Sequence, residues 1–163
     1  GRLATSGNGV IFPNSSDARL ENVSLNAGAD LRVPCSRELT LIGTVGNAGR
    51  ITLDNAGCGP NFAVLRGSGA TALTEAGEVR LRSDGPSVNV TLRGSGGTLT
   101  LGAGQLLTGS GRIDGAVRVD GVLMPDQTYA PIGPVGRLML NAGANLTLGS
   151  SARLMVDLRS PSD

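Results

Sequence analysis

The residues of this chain that could carry catalytic chemistry are mainly carboxylates, because the sequence contains neither histidine nor lysine. A serine or cysteine nucleophile needs a general base, so the common catalytic triads and the serine–lysine dyad are excluded. Two carboxylates can together hydrolyse a glycosidic bond, and Glu75 and Glu78 are the closest acidic pair. Both lie near Gly77, in a predicted turn where carboxylates are usually solvated. We therefore predict that the chain has no catalytic residue and is not an enzyme.

Three aspartates at regular spacing are the best candidates for a metal site. Asp114, Asp120 and Asp126 lie six positions apart, and each is next to a glycine or a proline. Aspartate is a favoured turn residue in that setting, so the spacing is better explained by turns than by metal binding. The glycine-rich nonapeptide that binds Ca²⁺ in other repeat proteins is absent. We predict no metal ion and no cofactor.

A five-residue motif, Leu-Arg-Gly-Ser-Gly, begins at Leu65 and again 27 positions later. The alignment of the two copies continues loosely, with Thr71 opposite Thr98 and Glu78 opposite Gln105. If this interval is one structural repeat, equivalent residues lie in register on neighbouring units.

The arginines are the candidate binding residues. In the repeated motif, Arg66 and Arg93 follow inward-facing leucines and are predicted to point outward in register, and Arg80 and Arg82 are outward on the same reasoning. Together they could form a stripe that binds carboxylate or sulfate groups of a glycan. The alternative is a solvated outer face in which interleaved acids neutralise the arginines.

Cys35 and Cys58 are the only cysteines, and no CxxC motif or Cys/His cluster suggests zinc. They are separated by about one structural repeat, which would place them on adjacent strands at a distance that a disulfide accepts. We predict that they form a disulfide, as is common in proteins exported to oxidising compartments. Two buried free thiols are the alternative.

Short strands with alternating apolar and polar residues make up most of the sequence. This period of two places apolar side chains on one face of each strand. No segment has a helical period, so we predict a nearly all-β chain with no helix longer than about two turns. The predicted inward residues are Leu39, Leu41, Ile51, Leu53, Val79, Leu81, Val88, Val90, Leu92, Leu99, Leu101, Val117, Val119, Leu138, Leu140, Leu146, Leu148, Leu154, Val156 and Leu158.

The turns between these strands also repeat. Asn-Ala-Gly occurs four times and Gly-Ser-Gly three times. Asparagine and glycine both tolerate the positive φ that sharp corners need. Imperfect repeats of roughly 20–30 residues are typical of solenoids, in which stacking buries the apolar face of each unit. We predict one right-handed parallel β-helix over residues 1–163, with residues 1–9 flexible. An antiparallel sandwich or barrel is the alternative.

Composition excludes two classes of partner. The net charge of +1 provides no long-range field of the kind that nucleic-acid-binding proteins use. No run of 18 apolar residues is present, so we expect no segment that inserts in a membrane. Only three residues are aromatic, which suits a narrow core of stacked, medium-sized aliphatic side chains.

The second half of the chain resembles the passenger-associated repeat of bacterial autotransporters. The similarity begins with Gly-Thr-Leu-Thr-Leu at 97–101, Leu-Leu-Thr-Gly-Ser-Gly-Arg-Ile at 106–113 and Gly-Ala-Val-Arg-Val-Asp-Gly-Val-Leu-Met-Pro at 115–125. Pro-Ile-Gly at 131–133 and Asn-Leu-Thr-Leu-Gly at 145–149 match the usual continuation. The chain departs from the family pattern after Leu123, where Met-Pro-Asp replaces Ala-Pro-Gly and a longer insert follows.

The resemblance covers residues 94–158 and implies a passenger domain that a Gram-negative bacterium exports through the periplasm to its cell surface. It implies a non-enzymatic stalk or adhesin segment. Its expected partners are neighbouring coils of a larger chain and a host-cell, extracellular-matrix or glycan ligand. Two alternatives remain open: a carbohydrate-active β-helix acting as a lyase or hydrolase, and a β-helical phage-tail or ice-binding module. An ice-binding face would need threonine ladders, of which only Thr98 and Thr100 offer a pair.

Overall fold

The computed structural model describes residues 1–6, 8–55, 58, 61–83, 89–125 and 137–156, which form strands and turns without any helix. The absence of helix in these residues agrees with the all-β prediction. The strands are β1 (Arg2–Leu3), β2 (Val10–Ile11), β3 (Asp17–Glu21), β4 (Ser24–Leu25), β5 (Asp30–Pro34), β6 (Arg37–Asn47), β7 (Arg50–Asp54), β8 (Ala63–Thr74), β9 (Glu78–Arg82), β10 (Val90–Leu101), β11 (Leu106–Gly109), β12 (Gly111–Val119), β13 (Val122–Met124), β14 (Leu138–Leu140), β15 (Asn145–Leu148) and β16 (Arg153–Leu154).

The strands form two sheets, and every strand pair among the described residues is parallel. The nine-stranded sheet has the order β1-β4-β6-β8-β10-β12-β14, with β3 beside β6 and β15 beside β12. The seven-stranded sheet has the order β16-β13-β11-β9-β7-β5-β2. From β5 to β13 the chain alternates between the sheets, and we call two consecutive strands, one from each sheet, a rung. The parallel pairing rules out the antiparallel sandwich or barrel for this part of the chain.

Apolar side chains from both sheets form one core in which equivalent positions stack from rung to rung. In the nine-stranded sheet Leu39, Leu65, Leu92 and Ile113 are paired in register and almost fully buried. A similar column in the seven-stranded sheet contains Ile51, Val79, Leu107 and Leu123. Burying each of these side chains contributes about 1.5–3 kcal/mol.

The core contains most of the residues that the period of two predicts to face inward. The confirmed residues are Leu39, Leu41, Ile51, Leu53, Val79, Leu81, Val90, Leu92, Leu99, Leu101, Val117 and Val119. Val88 and Leu158 lie outside the described residues. Strand β1 lies within the stretch 1–9 that is expected to be flexible, and Arg2–Leu3 pair there with β4.

The two copies of the five-residue motif lie side by side on β8 and β10. Leu65 pairs with Leu92, and the next three residues of each copy also pair in register. Beyond this point the sequence alignment is wrong by one position, because the register shifts between Ser95 and Leu99. Leu99 therefore lies opposite Thr71, and Leu106 lies opposite Glu78. A bulge adds one residue to β10 relative to β8. Such an insertion shifts the pairing of all later residues but leaves the pattern of residue types unchanged, so the sequence does not reveal it.

Four glycines stack just before four strands of the seven-stranded sheet, β7, β9, β11 and β13. They are Gly49, Gly77, Gly104 and Gly121, and a Cβ atom on any of them would collide with a backbone carbonyl of the preceding rung. The rungs approach closely at these corners because backbone amides donate from one rung to the next, as Glu78 N does to Gly49 O at 2.9 Å. Glycine is required here for close approach of successive rungs.

The last rung leaves the core columns open. Leu140, Leu148 and Leu154 continue the columns that contain Ile113, Val119 and Leu123. The three leucines are between 42% and 53% exposed, whereas their predecessors are at most 4% exposed. Met155 and Val156 beside them are also more than half exposed. The alternation thus identified the correct face, but no described residue covers the end of the column.

Cys35 and Cys58 form a disulfide, with 6.1 Å between their Cα atoms. Cys35 directly follows β5, and Cys58 follows β7, the adjacent strand of the seven-stranded sheet. The pairing predicted from the spacing of the two cysteines is confirmed. The bond links consecutive rungs and is typical of proteins in oxidising compartments such as the periplasm or the extracellular space.

Removing the disulfide should destabilise the protein strongly. The cysteines are 23 positions apart, and closing a loop of this size stabilises the folded state by about 3 kcal/mol on the chain-entropy account. We expect the double variant Cys35→Ser, Cys58→Ser to lose about that much free energy of unfolding in a denaturant titration. The parent protein with reductant should match the variant, which itself should not respond to reductant. Two free thiols in the mass spectrum of the non-reduced parent would contradict the bond.

Candidate functional site

The four candidate glycan-binding arginines lie on two different sheets. Arg66 and Arg93 are paired in register on β8 and β10 of the nine-stranded sheet. Arg80 and Arg82 both lie on β9 of the seven-stranded sheet, two positions apart on its outward face. The structure therefore brings the first two together and the last two together, but does not join all four in one stripe.

Each of these arginines forms an ion pair. Arg66 lies 3.0 Å from Glu38 and Arg93 lies 2.8 Å from Asp114, both on adjacent strands. On the seven-stranded sheet, Arg80 lies 2.8 Å from Glu78 of the same strand. Arg82 lies 3.3 Å from Asp54 on the neighbouring strand. An anionic glycan would have to compete with a carboxylate at every position, so the geometry favours the solvated, charge-balanced outer face.

Glu78 is a carboxylate that three side chains on three strands hold by hydrogen bonds. Its oxygens accept hydrogen bonds from Arg50, Arg80 and Thr108 at 2.8–3.0 Å, which links β7, β9 and β11. Burial raises the pKa of Glu78, but the hydrogen bonds from Thr108 and Arg80 and the charges of Arg80 and Arg50 outweigh it. The pKa of this carboxyl therefore lies below its ordinary value of 4.5.

The lowered pKa makes a pH-dependent contribution to stability. A carboxyl with a lower pKa in the folded state stabilises the fold above its unfolded-state pKa, and this stabilisation disappears as the pH falls through the folded-state pKa. We expect the free energy of unfolding to decrease as the pH falls below about 5, and to decrease less in Glu78→Gln. The control is Glu75→Gln, because Glu75 is exposed and makes no ion pair within the described residues. Equal slopes in parent and Glu78→Gln would contradict the assignment.

The remaining acidic candidates have separate environments. Glu75 lies in the turn before β9 with a φ of 69°, whereas Glu78 belongs to the ion-pair network of the seven-stranded sheet. Asp114 pairs with Arg93, Asp120 lies 2.8 Å from Arg118, and Asp126 is outside the described residues. Within the parts of the chain that the structure describes, no group of three or more potential ligands is placed to hold a metal ion.

A buried amide pair, which sequence reasoning missed, connects three rungs. The Asn47 side chain donates to Gln105 Oε1 at 2.8 Å, although the two residues belong to different rungs. Gln105 Nε2 in turn approaches the carbonyl oxygens of Asn47, Thr74 and Glu75 at 2.8–3.0 Å. Asn47 and Gln105 are at most 1% exposed. The only sequence signal is a polar residue beside a glycine corner, which is also the pattern of an ordinary turn.

A shallow groove follows the stacked glycine corners. It has a volume of about 400 Å³ and is lined by small residues such as Ala48 and Ala76, with Asp30, Arg50 and Glu78 at one side. Arg50 and Glu78 are 3.0 Å apart and neutralise each other. The corner backbone already uses its carbonyls in hydrogen bonds between rungs.

A second groove, of about 390 Å³, lies where β3, β6 and β8 begin. We call it the Phe62 groove, and the polar, charged and aromatic residues that line it are Ser16, Asp17, Ser36, Arg37, Glu38, Phe62 and Arg66. The backbone at Phe62 is joined to the neighbouring rung, because Ser36 N donates a hydrogen bond of 2.8 Å to Phe62 O. Ser36 directly follows the disulfide residue Cys35 and has a φ of 60°, which is uncommon for a residue other than glycine.

One feature of the sequence points to this groove. Phe62 is one of two phenylalanines, and a chain that builds its core from aliphatic residues does not need it inside. In the structure Phe62 is 48% exposed. Its neighbours in the groove come from three rungs, so no local motif contains them.

None of the described residues belongs to a helix that could cross a membrane. Comparisons of the chain with protein-family models, with curated proteins and with solved structures find no match.

Proposed function

We propose that this chain is a non-enzymatic segment of an exported surface protein of the autotransporter type. In this proposal a right-handed parallel β-helix presents its outer faces for contact, as part of an adhesin or as a stalk. The observation that carries the proposal is the unbroken parallel strand pairing of both sheets from β5 to β13. Each time the chain returns to a sheet, it adds one parallel strand to the previous strand.

This topology supports a β-helix, since a coil that adds one strand to each sheet per turn produces it directly. Connections between parallel strands of one sheet are right-handed in about 98% of cases, which supports the right-handed sense. The segment 94–158 that resembles the passenger-associated repeat covers β11 to β16 and most of β10. An experimental structure with left-handed coils would contradict this part of the proposal.

The open core columns support neighbouring coils as the first partner. Leu140, Leu148 and Leu154 face the same way as the buried residues before them, but are about half exposed. Another parallel rung would cover these leucines and pair with the exposed strand edge. We propose that further coils of a larger chain stack at this end.

The residues on the outer faces of the sheets support a protein that acts by binding and not by catalysis. Arg66, Arg80, Arg82 and Arg93 are paired with carboxylates, and the sequence lacks histidine and lysine for acid–base work. These faces repeat along the stack, and solenoids use such extended surfaces for binding. Export through the periplasm to the surface of a Gram-negative cell is consistent with the disulfide.

Surface display provides the test. The chain is fused ahead of a translocator barrel in a Gram-negative host, and its exposure is measured by digestion of intact cells with external protease. Adherence of these cells to epithelial cells, matrix proteins and glycans is then compared with that of cells displaying the barrel alone. We expect display of a folded segment and, for an adhesin, increased adherence. Display without adherence would support the stalk.

The same material tests the enzymatic alternative. Purified chain is incubated with acidic polysaccharides, and we expect no change in polymer length. Cleavage that is abolished by Glu75→Gln or Asp120→Asn would overturn the non-enzymatic proposal. The double variant Arg66→Ala, Arg93→Ala should fold like the parent, because both residues point outward. If it adheres like the parent, the paired arginines are not the contact.

A further inference from the structure

The geometry of the Phe62 groove points to a binding site for an uncharged sugar unit of a glycan. This inference rests on the proposed contact function and specifies its ligand. It differs from the expectation drawn from the arginines alone, which favoured carboxylate or sulfate groups.

The first observation is an exposed aromatic residue within a groove. Phe62 is 48% exposed, and the buried core residues among those that the structure describes include no aromatic residue. One face of a pyranose ring carries C–H groups that pack against an aromatic ring, which provides a large apolar contact. The groove volume of about 390 Å³ lies within the range of small-ligand pockets, roughly 300–1,000 Å³.

The second observation is a pair of charged groups without ion-pair partners. The Arg37 and Asp17 side chains line the groove, yet neither forms an ion pair within the described residues. Arg37 offers hydrogen-bond donors, and Asp17 offers acceptors. A sugar hydroxyl both donates and accepts, so adjacent hydroxyls can use the two groups together.

The charge of the groove favours an uncharged ligand. Glu38 and Arg66 are paired at 3.0 Å and neutralise each other. Arg37 and Asp17 carry opposite charges, so the four charged side chains sum to zero. A sulfated or carboxylated sugar would gain from Arg37, but it would meet the Asp17 carboxylate in the same groove.

The third observation is that the backbone carrying Phe62 is bonded to the neighbouring rung. Ser36 N donates to Phe62 O at 2.8 Å, and Cys35, next to Ser36, is bonded to Cys58 on the adjacent rung. Arg37 and Glu38 pair in register with Ala63 and Val64, which directly follow Phe62. A backbone that is held on both sides of the groove has less conformational freedom to lose when a ligand binds.

The test is a titration of the ¹⁵N-labelled, disulfide-bonded chain, followed by NMR. The probes are neutral trisaccharides of glucose, galactose and mannose, together with trigalacturonate and a sulfated heparin trisaccharide. We expect at least one neutral probe to shift the amide signals of Ser36, Arg37 and Ala63 saturably, and to bind more tightly than both anionic probes.

Matched variants locate the site. Phe62→Ala, Arg37→Gln and Asp17→Asn should each weaken binding of the neutral probe at least tenfold while the thermal unfolding midpoint stays near that of the parent. Phe12→Ala is the aromatic control, because Phe12 is 54% exposed and lies outside the groove. Arg153→Gln on β16 is the arginine control. Both controls should bind like the parent.

Several results would overturn the inference. They are no binding of any neutral probe, equal binding by Phe62→Ala, or tighter binding of the anionic probes. These outcomes are distinct from a failure of the proposed function. If displayed cells adhere to glycans but Phe62→Ala does not reduce adherence, the contact function stands and this groove is not its site. If purified chain cleaves a polysaccharide, the contact function itself fails.

Discussion

Leu99→Asp should prevent the protein from folding. Leu99 is fully buried in β10, paired between Thr71 of β8 and Val117 of β12. The substitution removes the buried leucine and places a carboxylate in the apolar column between two rungs without a partner. Loss of the apolar contacts and burial of the charge should together cost more than about 5 kcal/mol, which approaches the total stability of many domains.

The control for this substitution is its neighbour, Thr100→Asp. Thr100 lies on the outward face of the same strand and pairs with Ala72 and with Arg118. An aspartate here faces solvent and a nearby guanidinium, so the free energy of unfolding should change by less than about 0.5 kcal/mol. Circular dichroism and denaturant titration of both variants measure the difference. A cooperatively folded Leu99→Asp variant with native stability would show that the period of two does not define the core.

Gln105→Leu should cost about 3–5 kcal/mol of unfolding free energy, although the substitution makes the core more apolar. The side-chain amide nitrogen of Gln105 donates hydrogen bonds to the carbonyl oxygens of Asn47, Thr74 and Glu75. Its oxygen accepts a hydrogen bond from Asn47 Nδ2. A leucine leaves these groups buried without that partner, and each unsatisfied group costs about 1–3 kcal/mol.

A double-mutant cycle measures the interaction energy between Asn47 and Gln105 apart from the contacts that each makes with other residues. Asn47→Leu and Gln105→Leu together should destabilise the protein by less than the sum of the single changes, with a difference of at least about 1 kcal/mol. The control is Asn145→Leu, an exposed amide on β15, which should change stability by less than about 0.5 kcal/mol. Strict additivity of the buried pair would contradict the bridge between rungs.

The sequence by itself determined the local structure and part of the register. Alternation with a period of two identified the inward residues from Leu39 to Val119, because a strand turns successive side chains to opposite faces. The repeated five-residue motif placed Arg66 beside Arg93, since identical corners and strands stack in register. The spacing of Cys35 and Cys58 predicted their bond for the same reason.

Only the tertiary structure decided what each outward or polar side chain touches. The bulge in β10 shifted the alignment of Thr71 and Glu78 by one position, because an inserted residue alters pairing without changing the pattern of residue types. The partners of Arg66, Arg82 and Arg93 lie on the adjacent strands of the same sheet. No local spacing rule predicts a contact between two strands of one sheet when the chain passes through the other sheet between them. Gln105 reaches Asn47, and the Phe62 groove assembles from three rungs, for that same physical reason: stacking brings together residues that the sequence keeps far apart.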